Sequence, residues 1–439
     1  MIRGVIVMKF GGTSVGDARS IERVVRIVQG HLAARPLVVV SAHAGVTDAL
    51  LAVAHDAPAG RAEVGPIAVL HRGILTDLGL PADLLDPLLD ELRDLARGLR
   101  LVGTISPKAQ DQLLSFGERC SARTVAAALR RAGVPATAVD AFAAGLRTDS
   151  AFGRARPLPD DGRIAHFLAG VEGVPVVTGF VGADEQGNVT TLGRNGSDFT
   201  AALFGAAVGA AEIQIWKDVD GVRTADPRLV PGALPIPDMT FDEACELAAF
   251  GSKVLHPAAM VPAMQKGIPL RVRSTLDPAA PGTTIAAAAR APRPAVRAIS
   301  HRSGVALVTV ISERLVPQHV FLARVFGELA ELGREVGPVA VSEAAVTFAV
   351  DAAAVAPGRA RLQALGELRV LADQSVVGVV GDPRALETGI AAAALATLAD
   401  AGIAVRCAGQ GALGSTIACV VAAADLAPAV AVLHDRFFR

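Results

Sequence analysis

Lys9-Phe10-Gly11-Gly12-Thr13-Ser14 places a lysine, paired glycines and two hydroxyls between an apolar β-like run and a helical pattern beginning near Asp17. Glycines let backbone N–H groups turn toward an anion, a helix N-terminus adds partial positive charge, and a lysine adds a full one. Those are the parts of a phosphate cradle. The lysine precedes the glycines, so the segment is not a Walker A loop, and the same pattern also serves an ordinary β-to-α turn.

A second segment, Thr191-Leu192-Gly193-Arg194-Asn195-Gly196-Ser197-Asp198, precedes a helical pattern over Phe199–Gly209. Ser197 is suited to cap that helix and Asp198 to its positive end, which accounts for both structurally. The functional reading is that Arg194 grips a carboxylate bidentately while Asp198 holds lysines or a magnesium-bound phosphate in position. In Ser115-Phe116-Gly117-Glu118-Arg119-Cys120-Ser121, Glu118 stands just before a helix, either as a capping contact or as the receptor of a substrate ammonium. Ser41-Ala42-His43-Ala44-Gly45-Val46-Thr47 sets hydroxyls at the end of a buried strand, where open parallel sheets bind ligands. Two mixed-charge loops follow apolar segments, Trp216–Arg228 and Phe250–Pro257, with a Thr240–Glu243 capping box between them. Only five lysines stand among 42 basic residues, and three of them, Lys9, Lys217 and Lys253, fall in these motifs, where a compact ammonium differs from a planar guanidinium.

Gly409-Gln410-Gly411-Ala412-Leu413-Gly414 matches GxGxxG, but another strand follows it rather than a helix, so it reads as a hairpin connection. The nine histidines show no metal-ligand spacing. Cys120, Cys245, Cys407 and Cys419 form no CxxC pair and read as buried thiols of a reducing compartment.

Apolar runs without clean alternation must position these groups: Val5–Phe10, Leu37–Ser41, Ala136–Ala141, Val174–Phe180, Glu212–Trp216 and Pro269–Val272. That texture predicts strands buried on both faces of a parallel sheet, with amphipathic helices such as Ile21, Val24, Val25, Val28 covering it. A linker over Pro281–Pro294 precedes two weakly similar β-α-β-β units of ferredoxin-like pattern. The first runs Val305–Ile311, Val320–Leu332, Glu335–Val341 and Ala344–Val350; the second runs Val376–Val380, Ala385–Ala401, Ile403–Ala408 and Thr416–Val421, then helix Leu426–Arg436. With 51% hydrophobic residues and a net charge of −1, the 439-residue chain is a multi-domain globular protein with no electrostatic footprint for nucleic acid. No apolar run reaches the ~20 residues of a membrane span, and Ile2–Phe10 lacks a signal-peptide layout, so a cytoplasmic protein is expected.

Taken in order and spacing, Lys9–Ser14, Ser41–Thr47, Ser115–Cys120, Gly193–Asp198, Trp216–Arg228 and Phe250–Pro257 resemble aspartate kinase (aspartokinase) over nearly the whole chain. The resemblance implies an α/β amino-acid-kinase fold, a mostly parallel sheet covered by helices, followed by two ferredoxin-like βαββαβ ACT domains. Its boundaries would be 1–290, 296–365 and 369–439. It further implies phosphorylation of the L-aspartate β-carboxylate to 4-phospho-L-aspartate, using ATP and Mg²⁺ held mainly through the ATP phosphates. Lys9 and Asp198 match the family's catalytic positions. Ser41, Thr47, Glu118, Arg194 and Ser197 match its aspartate-binding set. Phe10, Gly11, Gly12, Lys217, Asp218, Arg223, Arg228, Lys253 and Val254, with Lys9, lie where the family holds the nucleotide. No residue matches a protein metal ligand.

The chain also departs from that pattern. It has no tyrosine; Arg223 stands where the family usually has one, Lys217 replaces a Thr or Ser, and Asn195 replaces the commoner Gly. In the first ACT unit, Val336-Gly337-Pro338-Val339-Ala340-Val341-Ser342-Glu343 keeps Ser-Glu but lacks the Asp and Thr of lysine-inhibited members. A homo-oligomer built through the ACT units is expected, with threonine a better effector candidate than lysine.

Overall fold

The structure is a computed structural model that describes residues 4–251, 255–288, 294–312, 317–331, 336–382, 389–410 and 416–439. The chain forms two compact units, Met1–Val222 with Leu255–Ala289, and Arg223–Val254 with Arg290–Arg439. Along the first, the strands are β1 Ile6–Phe10, β2 Pro36–Val40, β3 Ala136–Val139, β4 Val174–Thr178, β5 Val181–Ala183, β6 Val189–Thr191 and β7 Glu212–Lys217. Interleaved with them are α1 Ala18–Gln29, α2 Val46–Asp56, α3 Gly65–Asp77, α4 Asp86–Val102, α5 Pro107–Leu114, α6 Phe116–Arg131, α7 Arg163–Ala169 and α8 Gly196–Val208. The chain then makes β8 Asp238–Thr240 and α9 Phe241–Ala249 in the second unit, and returns to the first with α10 Pro257–Lys266, β9 Leu270–Ser274 and β10 Thr283–Ala286.

In the first unit the strand order is β3-β4-β2-β1-β7-β9-β10, parallel up to β9. β1 is buried throughout, as an unalternating apolar run in a doubly covered sheet requires. One face packs on α1 and α6 through Ile21, Val24, Val28, Val125 and Leu129, and beyond them α2 to α6 enclose a second core around Leu50, Leu89 and Phe116. On the other face α8 lies so close that a side chain at Gly205 would fall 2.5 Å from Ile213 of β7. The expected linker Pro281–Pro294 is a linker only in part: β10 pairs antiparallel with β9, and the Thr283-Thr284-Ile285 alternation buries Thr283 and Ile285.

The second unit continues with β11 Val296–Ile311, α11 Gln318–Glu331, β12 Val336–Val341, β13 Ala345–Asp351, α12 Ala352–Gln363, β14 Glu367–Gly381, α13 Ala391–Asp400, β15 Cys407–Gln410, β16 Thr416–Ala422 and α14 Leu426–Phe438. The strands make one sheet, β12-β13-β11-β14-β16-β15. The first half of β11 pairs with the second half of β14, from Val296–Gly381 to Arg302–Val376. Past a register shift after Arg302, the second half of β11 pairs with β13 and with the first half of β14. Each ACT module therefore has six elements, and the second takes its last strand from residues ahead of the first, a division that separate 296–365 and 369–439 segments do not capture. The apolar contacts follow it: Val308 and Val310 pack with Phe321 and Phe348, Val296 and Ile299 with Leu398 and Val430. β15 and β16 pair antiparallel; residues 411–415, which hold most of the GxGxxG segment read as a hairpin connection, lie outside the described ones.

Residues 223–254, assigned from sequence to the catalytic domain, pack in the second unit instead. Ala225, Val230 and Ala233 join the core around Val430 and Leu433, Ile299 N–H donates to Thr224 O (2.7 Å), and Thr224 Oγ1 bonds His434 Nε2 (2.9 Å). Nothing local signals this, because the partners are more than 70 residues away in sequence. The Thr240–Glu243 capping box forms as expected, both arms present at 3.2 and 2.8 Å.

Candidate active site

Three charged side chains converge at the carboxyl ends of β1 and β7 and the start of α8. Lys9 Nζ lies 2.7 Å from Asp198 Oδ1, and Lys217 Nζ lies 3.4 Å from Asp198 Oδ2. Lys9 and Asp198 are nearly withdrawn from solvent, at 6% and 3% exposure. Parallel pairing of β1 with β7 aligns Phe10 with Trp216, so the lysines before and after that rung emerge at the same end of the sheet. Burial alone would raise the Asp198 carboxyl, but Lys9 and then Lys217 outweigh it and hold it below the usual carboxylate range. Burial, reinforced by Lys9 and opposed by Asp198, pulls the Lys217 ammonium below its ordinary value. Two cations on one carboxylate leave a net positive centre, a site for phosphate oxygens.

The Lys9–Ser14 loop continues from β1 into a 3₁₀ turn, Gly12–Val15, and then α1, whose Asp17 caps Ser20 N–H at 2.7 Å. At Gly12 a side chain would press to 3.0 Å from Ala42 O, which keeps this loop against the β2 loop. Ser41 N–H donates to Phe10 O (3.2 Å), setting Ser41 beside the lysine loop. Thr47 is half-buried in the first turn of α2. His43 Nδ1 bonds Val15 O and closes the gap between the two loops. Burial first, then the neighbouring His71, lower the His43 imidazole to about 3, so it is neutral near pH 7.

Two expectations about local structure are corrected. Ser197 is not the cap of α8; Asn195 holds that position in a left-handed conformation (φ 57°), and the helix already includes Gly196, Ser197 and Asp198. Asn tolerates that backbone, so the cap moves two residues upstream and the helix starts at Gly196 rather than Phe199. A side chain at Gly179 would meet Ser197 Cβ at 2.5 Å, which sets the start of α8 directly on the turn after β4. Glu118 does not precede its helix either: α6 begins at Phe116, so Glu118 sits in its first turn, beside Gly117, where a side chain would strike Ala42 at 2.7 Å.

Glu118 is 4% exposed, and its Oε2 has no hydrogen-bond partner. Burial pushes its carboxyl up to about 8, against the opposing pull of the backbone N–H groups of Ala42 and Glu118 and of Lys9. Its folded value lies above the ordinary 4.5, so its stabilising contribution is present at acid pH and lost as the pH rises through about 8. We expect Glu118→Gln to raise the melting temperature of the ligand-free protein by several degrees near pH 8.5 and hardly at all near pH 5. Thermal scans at both pH values check this; equal shifts at both would contradict it.

Arg194 is exposed in the loop between β6 and α8, and Asp218 is exposed just after β7. Arg223 and Arg228 belong to the second unit, where Arg223 Nη1 donates to Ala233 O (2.8 Å) and Arg228 pairs with Asp226 (2.6 Å). Lys253 and Val254 lie outside the described residues. Among the described residues no group of three or more His, Cys, Asp or Glu could hold a metal ion, and no helix is long and apolar enough to cross a membrane.

The family model described as the amino acid kinase family matches residues 4–274, and an ACT domain model matches residues 377–437. Aspartokinase 2, chloroplastic, of Arabidopsis thaliana is 34% identical over 99% of this chain and 84% of its own length. The lysine-sensitive aspartokinase 3 of Escherichia coli is 34% identical over 99% of each chain. The solved structure of Escherichia coli aspartokinase III in complex with aspartate and ADP superposes with a TM-score of 0.85 at 34% identity, covering 99% of this chain and 100% of that one. Its lysine- and aspartate-bound T-state gives a TM-score of 0.83. With a helix-covered parallel sheet, paired ACT modules and a Lys–Asp–Lys centre at the strand ends, the chain belongs to the aspartokinases of the amino acid kinase family.

Proposed function

We propose that this chain transfers the γ-phosphoryl group of ATP to the β-carboxylate of L-aspartate, forming 4-phospho-L-aspartate, the first step toward lysine, threonine and methionine. The observation that carries the reading is the buried pairing of Lys9 and Lys217 on Asp198. An aspartate side chain, with a reference pKa near 3.9, is ionised at neutral pH and needs no general base. The difficulty is to bring one anion onto another and to stabilise a loose phosphoryl transition state, which is work for position and charge. Lys9, Lys217, the N–H groups of Gly11 and Gly12 and the N-terminus of α8 supply that charge.

Glu118 receives the substrate ammonium and Arg194 its α-carboxylate, with Ser41, Thr47 and Ser197 offering hydroxyls. A substrate bearing both groups matches an amino acid better than a nucleotide. Phe10 and Asp218 stand on the nucleotide side of this unit. Lys9 and Lys217 keep the Asp198 carboxylate ionised, and such an anionic oxygen donor suits the water shell of a Mg²⁺ arriving on the ATP phosphates. Bound there, the ion would neutralise phosphate charge. Capture of an acyl phosphate as its hydroxamate, from aspartate and ATP and compared with other small acids, tests the assignment; no hydroxamate with aspartate would reject it.

The ACT modules supply regulation and a homo-oligomeric contact. Gly337 carries no side chain to serve as a partner, and Pro338 offers no N–H. The extra ammonium of lysine thus lacks a partner on this strand. We expect lysine to inhibit weakly or not at all, and threonine to be the better effector. Activity titrated with each separately and together decides it, and strong inhibition by lysine alone at sub-millimolar concentration would overturn it.

A further inference from the structure

Asp111 of α5 plays no part in the chemistry above, yet its carboxylate is among the most completely used in the first unit. It is 1% exposed. Its Oδ2 accepts the backbone N–H groups of Thr191 (2.8 Å) and Gly153 (2.9 Å), and its Oδ1 accepts the Thr191 hydroxyl (2.8 Å). Ala155 N–H donates to Thr191 O (2.9 Å), and a side chain at Gly193 would lie 3.3 Å from Gly153 O, so both loops rest on this one side chain. Thr191 ends β6 one turn before Arg194. In the other direction Asp111 O accepts Ser115 N–H (3.1 Å), the junction from which α6 and Glu118 depart.

We infer that Asp111 is a positioning residue that fixes the Arg194 loop to the helix pair carrying Glu118, so that the carboxylate and ammonium grips on the amino-acid substrate keep one separation. This rests on the substrate reading above. A displacement of about 1 Å at such a grip costs up to about a hundredfold in rate or binding. Alanine at 111 would remove the acceptor and leave the backbone N–H groups of Thr191 and Gly153 without their partner. The loop would loosen while Lys9, Lys217 and Asp198, held by β1, β7 and α8, keep their places.

Steady-state kinetics of the full chain test this as a double-mutant cycle, with fluorescence of the single tryptophan, the fully buried Trp216, checking that each variant is folded. Asp111→Ala should raise the KM for aspartate about tenfold with the KM for ATP within about twofold, and should add less than about twofold in an Arg194→Ala background. Should Asp111→Ala not fold, Thr191→Val removes only the hydroxyl donor and is expected to raise the aspartate KM about threefold. An unchanged aspartate KM in the folded variant, a parallel rise for ATP, or a full effect persisting without Arg194 overturns the positioning role. Arg194→Ala that alone leaves the aspartate KM unchanged would instead remove the substrate reading itself.

Discussion

Replacing Lys9 by alanine should lower kcat by about 10²–10³ while the protein remains folded, because the lost ammonium acts on charge that develops during phosphoryl transfer. Survival of the fold follows from Lys217: with its Nζ 3.4 Å from Asp198, the buried carboxylate keeps one counter-charge. Removing a sole partner would have left Asp198 uncompensated, at a cost of about 3–5 kcal/mol. Lys9→Arg should fare little better than alanine. The lysine ammonium lies buried 2.7 Å from Asp198 Oδ1, and a planar guanidinium cannot take up that point-charge position. Turnover with aspartate and saturating ATP, together with a melting curve for each variant, checks both claims. Near wild-type turnover in either variant would remove Lys9 from the chemistry.

That centre was legible because its parts are local. The apolar run into Lys9, the two glycines after it and the Arg-Asn-Gly-Ser-Asp turn each reveal a strand end or helix start without reference to distant chain. The parallel register of β1 and β7 then makes Lys9 and Lys217 neighbours. Hidden features were those decided by packing between distant segments. Asp111 looks like any helical aspartate until Thr191, 80 residues on, is brought against it. Residues 223–235 have the composition of a surface loop, and only the approach of Val430, Leu433 and His434 explains why Ala225 and Val230 are buried in the second unit. The swapped halves of β11 and β14 escaped for a related reason. Only Val305–Ile311 and Val376–Val380 read as strands, because polar residues interrupt 296–304 and 367–375, and the register shift after Arg302 that divides β11 depends on pairing. The early start of α8 turned on one residue, Asn195, whose left-handed backbone is permitted but not required by its type.

Arg194→Ala should raise the KM for aspartate by about ten- to a hundredfold, equivalent to about 1.4–2.7 kcal/mol, with the KM for ATP nearly unchanged. Arg194 is exposed in the ligand-free chain, so its truncation costs no folding energy and the effect reports on the substrate alone. Glu118 gives the same grip a pH dependence of definite sign. Its carboxyl, pushed up to about 8 by burial, is mostly protonated at pH 7 and must ionise to receive an ammonium. Aspartate binding near neutrality should therefore release a proton, and the aspartate KM should fall as the pH rises from about 6 to about 8, then level off. In Glu118→Gln the KM should be higher throughout and flat across that range, while the ATP KM stays close to wild type. Kinetics of wild type, Arg194→Ala and Glu118→Gln across that range separate the contributions. A wild-type aspartate KM that rises with pH, or a Glu118→Gln profile that keeps the wild-type slope, would show that Glu118 does not receive the ammonium.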